Sequence, residues 1–143
     1  MVELLVVCAL LAILATVALP AGQFVSRRGK ETELRADLRM MRNAIDEFKR
    51  YSDAGLIAVT AGTDGYPADL KTLVDGVPLV GQIDRRARFL REIPTDPMTG
   101  KKEWGLRSYQ DDPDATSWGG EDVFDVYSLS DGVSLAGEPY STW

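Results

Sequence analysis

The chain begins with an apolar segment that is long enough for a membrane-spanning helix. Residues Leu4 to Ala21 carry no charge, and their only polar side chain is Thr16. At 1.5 Å per residue, about 18 residues extend roughly 27 Å, which is close to the hydrocarbon thickness of a bilayer. The pattern therefore predicts an apolar transmembrane helix half over residues 1–21.

Beyond residue 21 the pattern becomes amphipathic. Apolar side chains recur at spacings of four and three residues, at Leu34, Leu38, Met41, Ile45 and Phe48. This spacing places them on one face of a helix, and charged residues occupy the opposite face. We therefore expect an amphipathic helix half over residues 22–51 that lies on a domain and continues the first half. Proline interrupts a helix because it removes a backbone donor, so we expect a kink at Pro20.

The rest of the chain predicts short elements. Residues 52–92 are rich in Gly, Asp and Pro and form a variable region, with one or two helical turns from Asp69 to Val74 and a partial helix within "VPLVGQIDRRARFLREIP". In residues 93–143, Asp96-Pro97 and Thr99-Gly100 predict turns. The segments "EWGLRSYQ" and "VFDVYSL" alternate with period two and predict antiparallel strands laid on the helix stripe. The expected fold is α+β: a long N-terminal helix packed on a small antiparallel sheet, followed by a C-terminal loop.

Composition excludes several functions. The net charge is −6 and there is no histidine. An acidic chain does not favour nucleic acid, and the commonest general base and metal ligand is missing. The single cysteine, Cys8, forms no intrachain disulfide and is expected to be a small buried apolar residue. Without a Gly-x-Ser-x-Gly motif or a phosphate loop, we expect no enzyme, although paired acids leave glycoside hydrolysis as an alternative.

One acid, Glu3, stands at the front of the apolar run. A charge in hydrocarbon costs several kcal/mol unless it reaches headgroups or a partner. Glu3 therefore lies at the membrane interface or pairs with a cation of another molecule, such as the α-amino group of an adjacent copy. Two alternatives for the segment remain: a cleaved signal peptide, and a signal-anchor for which Arg27, Arg28 and Lys30 would hold the domain in the cytoplasm.

Four segments resemble the type IV pilin-like superfamily. "VELLVVCALLAILATVALP" resembles its N-terminal helix core, and Glu3 and Pro20 keep the separation of the family's glutamate and proline. "YPADLKTLV", "REIPTDPMTGKKEWGLRSY" and "FDVYSLSDG" resemble segments of the major pseudopilins of type II secretion, the pseudopilin G branch. Both Glu3 and Pro20 stand two positions earlier than the matching residues of the family's mature chain. This shift implies that two mature residues and the cytoplasmic leader are missing before Met1.

The resemblance implies a filament subunit with the pilin-like fold. It implies a homopolymer through N-terminal helices, the pseudopilus, in which Glu3 pairs with the N-terminal amine of a neighbour. Pro20 and Gly22 would weaken the helix locally during assembly. The implied partners are an inner-membrane assembly platform, minor pseudopilins, prepilin peptidase and, before assembly, membrane lipid. The implied location is the bacterial inner membrane, which the chain crosses once, with the C-terminal domain in the periplasm. The resemblance also implies a methylated phenylalanine at the mature N-terminus.

The resemblance also implies a calcium site after the Tyr-Ser motif. Asp131 matches the family's loop aspartate, Leu129 and Ser130 stand where carbonyl ligands are expected, and Glu138 is the one downstream acid. The alternative for the acids of the last third is a set of solvated turns. The alternative function is a type IV pilus subunit, major or minor, although many of these carry a disulfide-bounded loop that one cysteine does not allow. The three tryptophans, Trp104, Trp118 and Trp143, are expected to anchor the core and loops.

Overall fold

The computed structural model describes residues 1–16 and 22–143 of the chain. Its dominant element is helix α1, Val2–Asp53, which confirms the long N-terminal helix. Glycine at the end of the helix accounts for its termination. Gly55 has a φ of +68°, its N–H donates to the carbonyl of Ser52, and the N–H of Leu56 donates to the carbonyl of Tyr51 at 2.9 Å. These two bonds form a Schellman motif, which a residue with positive φ makes possible.

The amphipathic stripe of α1 forms the centre of the domain core. Leu34, Met41 and Ile45 are fully buried, and Leu38 and Phe48 are nearly so. Burial of such a side chain contributes about 1.5–3 kcal/mol relative to leaving it exposed. The stripe packs with core residues from the remaining chain: Ile57, Leu70, Leu73, Leu90, Trp104, Val123, Val126 and Tyr140. The predicted stripe is therefore confirmed.

The variable region contains one short helix and one small hairpin. Helix α2, Leu70–Asp75, begins at Asp69, whose carboxylate accepts a hydrogen bond from the Thr72 N–H at 2.7 Å. Strands β1, Val77–Pro78, and β2, Arg86–Ala87, pair antiparallel. The partial helix expected in this segment was therefore wrong. Gly81 and Asp84 have positive φ, +74° and +64°, which interrupts a right-handed helix, and the backbone N–H and C=O groups pair across the hairpin instead.

Two further strands pair antiparallel, as expected, and the second of them packs on the helix. Strand β3, Gly105–Arg107, pairs antiparallel with β4, Asp125–Tyr127, so that Leu106 lies opposite Val126. Gly105 allows this pairing, because a Cβ at this position would collide with the ring of Tyr127. The described chain thus forms two separate two-stranded sheets.

Two of the segments that carry the resemblance meet in the fold, those that contain Asp96 and Ser128. The predicted turn at Asp96-Pro97 is present, and the buried carboxylate of Asp96 accepts from the N–H of Met98 at 2.7 Å. The second carboxylate oxygen of Asp96 accepts from the hydroxyl of Ser128 at 2.6 Å. Asp96 therefore holds the Ser128 side chain in place, which gives both residues a structural role.

The C-terminal segment returns to helix α1. After β4, the chain turns between Val133 and Pro139, which form an isolated antiparallel bridge, and ends in a 3₁₀ turn at Tyr140–Thr142. The buried hydroxyl of Tyr140 donates to Glu31 at 2.9 Å. Arg42 donates to Asp125 at 2.7 Å and to the main-chain oxygen of Trp143 at 2.6 Å. The end of the described chain is thus bound to the helix.

Candidate assembly surface

The first half of α1 is exposed on all sides. Every described residue from 1 to 16 and from 22 to 30 is exposed, and among them are the large apolar residues Val2, Leu4, Leu5, Val6, Val7, Leu10, Leu11, Ile13, Leu14, Phe24 and Val25. Soluble monomers rarely expose a contiguous apolar area of this extent, and such an area marks an interaction site with protein or membrane. We call residues 1–16 and 22–30 the exposed half.

Glu3 lies in the first turn of the exposed half. Within the described residues, its carboxylate makes no hydrogen bond or ion pair, and its neighbours Val2, Leu4, Val6 and Val7 are apolar. The N-terminal position is favourable for an acid, since the first N–H groups of a helix carry partial positive charge. A cation from outside the chain has direct access to this carboxylate.

The exposed half ends at a polar contact between the helix and the C-terminal segment. Among the described residues of α1, Glu31 is the first that is buried, and it accepts from the Leu135 N–H at 2.8 Å as well as from the Tyr140 hydroxyl. Arg27 donates to the Tyr140 hydroxyl at 3.3 Å and to the carbonyl of Val133. These contacts fix the point at which α1 leaves the domain.

The other residues predicted for assembly are only partly described. Gly22 lies within α1, and a Cβ at this position would meet no atom within 4 Å, so the isolated chain does not need glycine there for space. Pro20 and its predicted kink lie outside the described residues. Cys8 was expected to be buried, and in the isolated chain it is exposed, because the helix around it packs on nothing described.

The described residues 1–16 and 22–143 include no helix whose length and apolar character suffice for a membrane span.

The residues predicted for calcium are divided between two cavities. Leu129, Ser130 and Asp131 line a cavity of about 330 Å³ beside Tyr127 and Pro139. Glu138 lines a different groove, which is basic. In the part of the chain that the structure describes, no three His, Cys, Asp or Glu side chains come close enough to hold a metal. The structure does not assemble this ligand set, and calcium stays a prediction from the resemblance.

The tryptophans hold the core and the loops, as expected. Trp104 is buried, and its Nε1 donates to the carbonyl of Pro94 at 3.0 Å. Trp118 is partly exposed, and its Nε1 donates to the carbonyl of Asp122 at 2.7 Å, which closes the polar loop before β4. Trp143 is half-buried against the core, edge-on to the ring of Tyr140.

A basic groove on the domain half of α1 is a feature that the sequence interpretation did not identify. It has a volume of about 570 Å³ and is lined by Thr32, Arg35, Leu38, Arg39, Arg42, Glu138 and Trp143. The guanidinium of Arg35 stacks on the Trp143 ring at 4.1 Å from its centroid. The spacing of Arg35, Arg39 and Arg42 on one helix face was the available signal, but the contribution of Trp143 from the far end of the chain has no local signature.

Two acids of the polar loop before β4 differ in their environment. Burial raises the pKa of Asp122, and although the Tyr109 N–H donation opposes this, the nearby carboxylates of Asp64, Glu121 and Asp111 raise it further. One carboxylate oxygen of Asp122 is buried without a hydrogen-bond partner among the described residues. Asp111 shows the opposite, because the N–H groups of Ser108 and Gly119 donate to it and lower its pKa.

Comparison of the chain with protein-family models, with curated proteins and with solved structures gives no match.

Proposed function

We propose that this chain is the structural subunit of a filament, a major pseudopilin that polymerises into the periplasmic pseudopilus of a type II secretion-like system. One observation carries the proposal: one face of α1 is buried in the domain from Glu31 onward, whereas every described residue before Glu31 is exposed, and residues 4–15 are apolar on all sides. A helix that is apolar all round is stable only when it is surrounded by lipid or by other apolar helices.

The apolar part of α1 is surrounded first by lipid and then by other apolar helices. The apolar run from Leu4 to Ala21 lies in the inner membrane before assembly, with the C-terminal domain in the periplasm, and it packs among identical helices in the assembled filament. Transfer from lipid to a helix bundle brings little hydrophobic gain, because lipid tails are as apolar as leucine. Assembly therefore depends on close packing and on specific polar contacts.

Glu3 supplies the polar contact. Its carboxylate has no partner within the described residues of its own chain, and an apolar environment makes an unpaired charge costly. The α-amino group of a neighbouring subunit satisfies it when the two helices stand in one register. Such a pair sets the register of packing more than it adds net stability. The assembly platform, minor pseudopilins and prepilin peptidase are the partners that this function requires.

The experiment compares Glu3→Ala with Glu33→Ala in the full chain, expressed with its secretion machinery. Glu33 is an exposed acid on the domain half of the same helix and accepts no hydrogen bond among the described residues. We expect Glu3→Ala to abolish filaments seen by electron microscopy while membrane insertion, measured by fractionation, stays unchanged. Glu33→Ala should assemble normally. Filaments in the Glu3→Ala variant, or their absence in the unmodified chain, would overturn the proposal.

A further inference from the structure

The basic groove on α1 is preorganised to receive carboxylates. Arg35 is held against Trp143, and the Nε of Arg39 donates to the main-chain carbonyl of Arg35 at 3.2 Å. Both arginines are exposed and form no ion pair with any described residue, whereas Arg42 is bound to Asp125. Leu38 contributes an apolar wall. Two guanidinium groups one helical turn apart match carboxylate oxygens in charge and in hydrogen-bond geometry.

The chain itself carries a surface of matching charge. The loop of residues 109–122 contains Asp111, Asp112, Asp114, Glu121 and Asp122 and no lysine or arginine. Asp112 and Asp114 are exposed and form no ion pair within the described residues. Asp111 and Asp122 accept hydrogen bonds that hold the loop, whereas the carboxylates of Asp112 and Asp114, like that of the exposed Glu121, accept none from the described residues and are available to a partner.

The backbone of this loop is fixed from within. Arg107 donates to the carbonyl of Ala115 at 2.9 Å, and the hydroxyl of Tyr127 donates to the carbonyl of Thr116 at 3.2 Å. Because the loop and the groove are both held in place by their own contacts, little conformational entropy is lost when they meet.

We propose that the groove formed by Arg35, Arg39 and Trp143 binds the acidic loop of a second copy of this chain, through Asp112 and Asp114. The proposal rests on the filament function and adds a contact between the domains to the one between the helices. With a net charge of −6, copies repel each other in general, and the groove is a positive surface at which an acidic neighbour is attracted. Groove and loop are different surfaces, so their contact is heterologous and repeats from copy to copy, as a filament requires.

The test reverses charge on each side and then on both, in the full chain. The variants are Arg39→Glu, Asp112→Lys with Asp114→Lys, and all three together. Like charges placed opposite each other cost several kcal/mol, so each single-side reversal should reduce filament mass by at least about tenfold. The triple variant should recover most of it. Arg91→Glu and Glu103→Lys, which change exposed residues with no ion pair in the described chain, should have no effect.

A cross-linking readout separates this proposal from the filament function. In a Cys8→Ser background, Arg39→Cys and Asp114→Cys should form disulfide-linked oligomers, while Arg91→Cys with Asp114→Cys should not. If Glu3→Ala abolishes filaments and the Arg39→Cys, Asp114→Cys variant forms filaments without cross-links, the groove proposal fails and the filament function stands. Loss of assembly on groove reversal alone, without rescue, means that the groove binds another anion and also overturns the proposal. Unchanged tryptophan-fluorescence melting of each variant shows that folding is intact.

Discussion

The two halves of helix α1 use apolar side chains in opposite ways. The first half has the higher density of apolar residues, yet every described residue of it is exposed. The second half carries fewer apolar residues; those that repeat at spacings of four and three residues are buried, whereas Met40 on another face is exposed. An amphipathic stripe is satisfied inside one chain, because the domain covers one face and water solvates the other. A helix that is apolar on all sides can be satisfied only by surroundings that one chain of this size does not supply.

The difference also separates two kinds of stability. Contacts of the second half determine whether the domain folds, whereas those of the first half determine what the folded chain joins. Substitutions in the first half should therefore leave the stability of the domain unchanged. All three tryptophans lie in the domain, so their fluorescence reports unfolding of the domain alone.

The largest expected effect on the domain comes from a matched pair of leucines on the same helix. Leu38 is 2% exposed and Leu11 is 60% exposed. Leu38→Ala should lower the free energy of unfolding by about 2–5 kcal/mol, because it leaves a cavity in a packed core. Leu11→Ala should change it by less than about 0.5 kcal/mol, as is usual for exposed sites. Urea unfolding of the full chain in a mild detergent, followed by tryptophan fluorescence, measures both.

A loss of domain stability in Leu11→Ala equal to that in Leu38→Ala would contradict the division of the helix. It would mean that the apolar half folds back on the domain in solution, and the exposed half would then not be an assembly surface.

A smaller effect is expected at the boundary between the halves. Glu31 accepts hydrogen bonds from the buried hydroxyl of Tyr140 and from the N–H of Leu135. Glu31→Ala leaves both donors without this acceptor and should cost about 1–3 kcal/mol of domain stability. Glu33→Ala, two residues further on and exposed, is the control and should cost almost nothing. Equal melting temperatures for the two variants would show that the C-terminal segment does not depend on Glu31.

Much of this division could be predicted from the sequence, because it rests on local periodicity. Leu34, Leu38, Met41, Ile45 and Phe48 repeat with helical spacing, and the structure buries all of them. Helix α2 was also predictable from local sequence, because its N-cap Asp69 lies only three residues before Thr72, whose N–H it accepts.

Contacts between distant parts of the chain could not be predicted in this way. Tyr140 reaches Glu31 across 109 positions, and no pattern within either segment indicates the pairing. The basic groove likewise needs Trp143 beside Arg35. Of the assembly surface, the apolar run and Glu3 were visible in the sequence. The residue at which the helix becomes free was not, because the C-terminal segment determines it.

The smallest expected effect on domain stability concerns two acids. Glu3 on the exposed half has no hydrogen bond or ion pair among the described residues, and Asp122 in the domain has one carboxylate oxygen without a partner there. Burial raises the pKa of Asp122 above its ordinary value, so the folded chain binds this proton more tightly than the unfolded chain does. Stability from this group is therefore greatest at low pH and decreases as the pH rises from the ordinary carboxyl range through the raised pKa. Asp122→Asn removes the buried charge and keeps an oxygen for the Tyr109 N–H.

We therefore expect Asp122→Asn to stabilise the domain slightly at pH 7, by up to about 1 kcal/mol, and the gain to vanish near pH 3. Asp111→Asn is the matched control, and its effect should have the opposite sign. The lowered pKa of Asp111 stabilises the fold above the ordinary carboxyl range, and this contribution is lost as the pH falls through the lowered pKa. Glu3→Gln should leave thermal melting unchanged at both pH values and affect only assembly. If Glu3→Gln instead altered melting as Asp122→Asn does, the acid at the helix start would belong to the fold of the domain, because a carboxylate whose partner lies in another subunit has no effect on the unfolding of one chain.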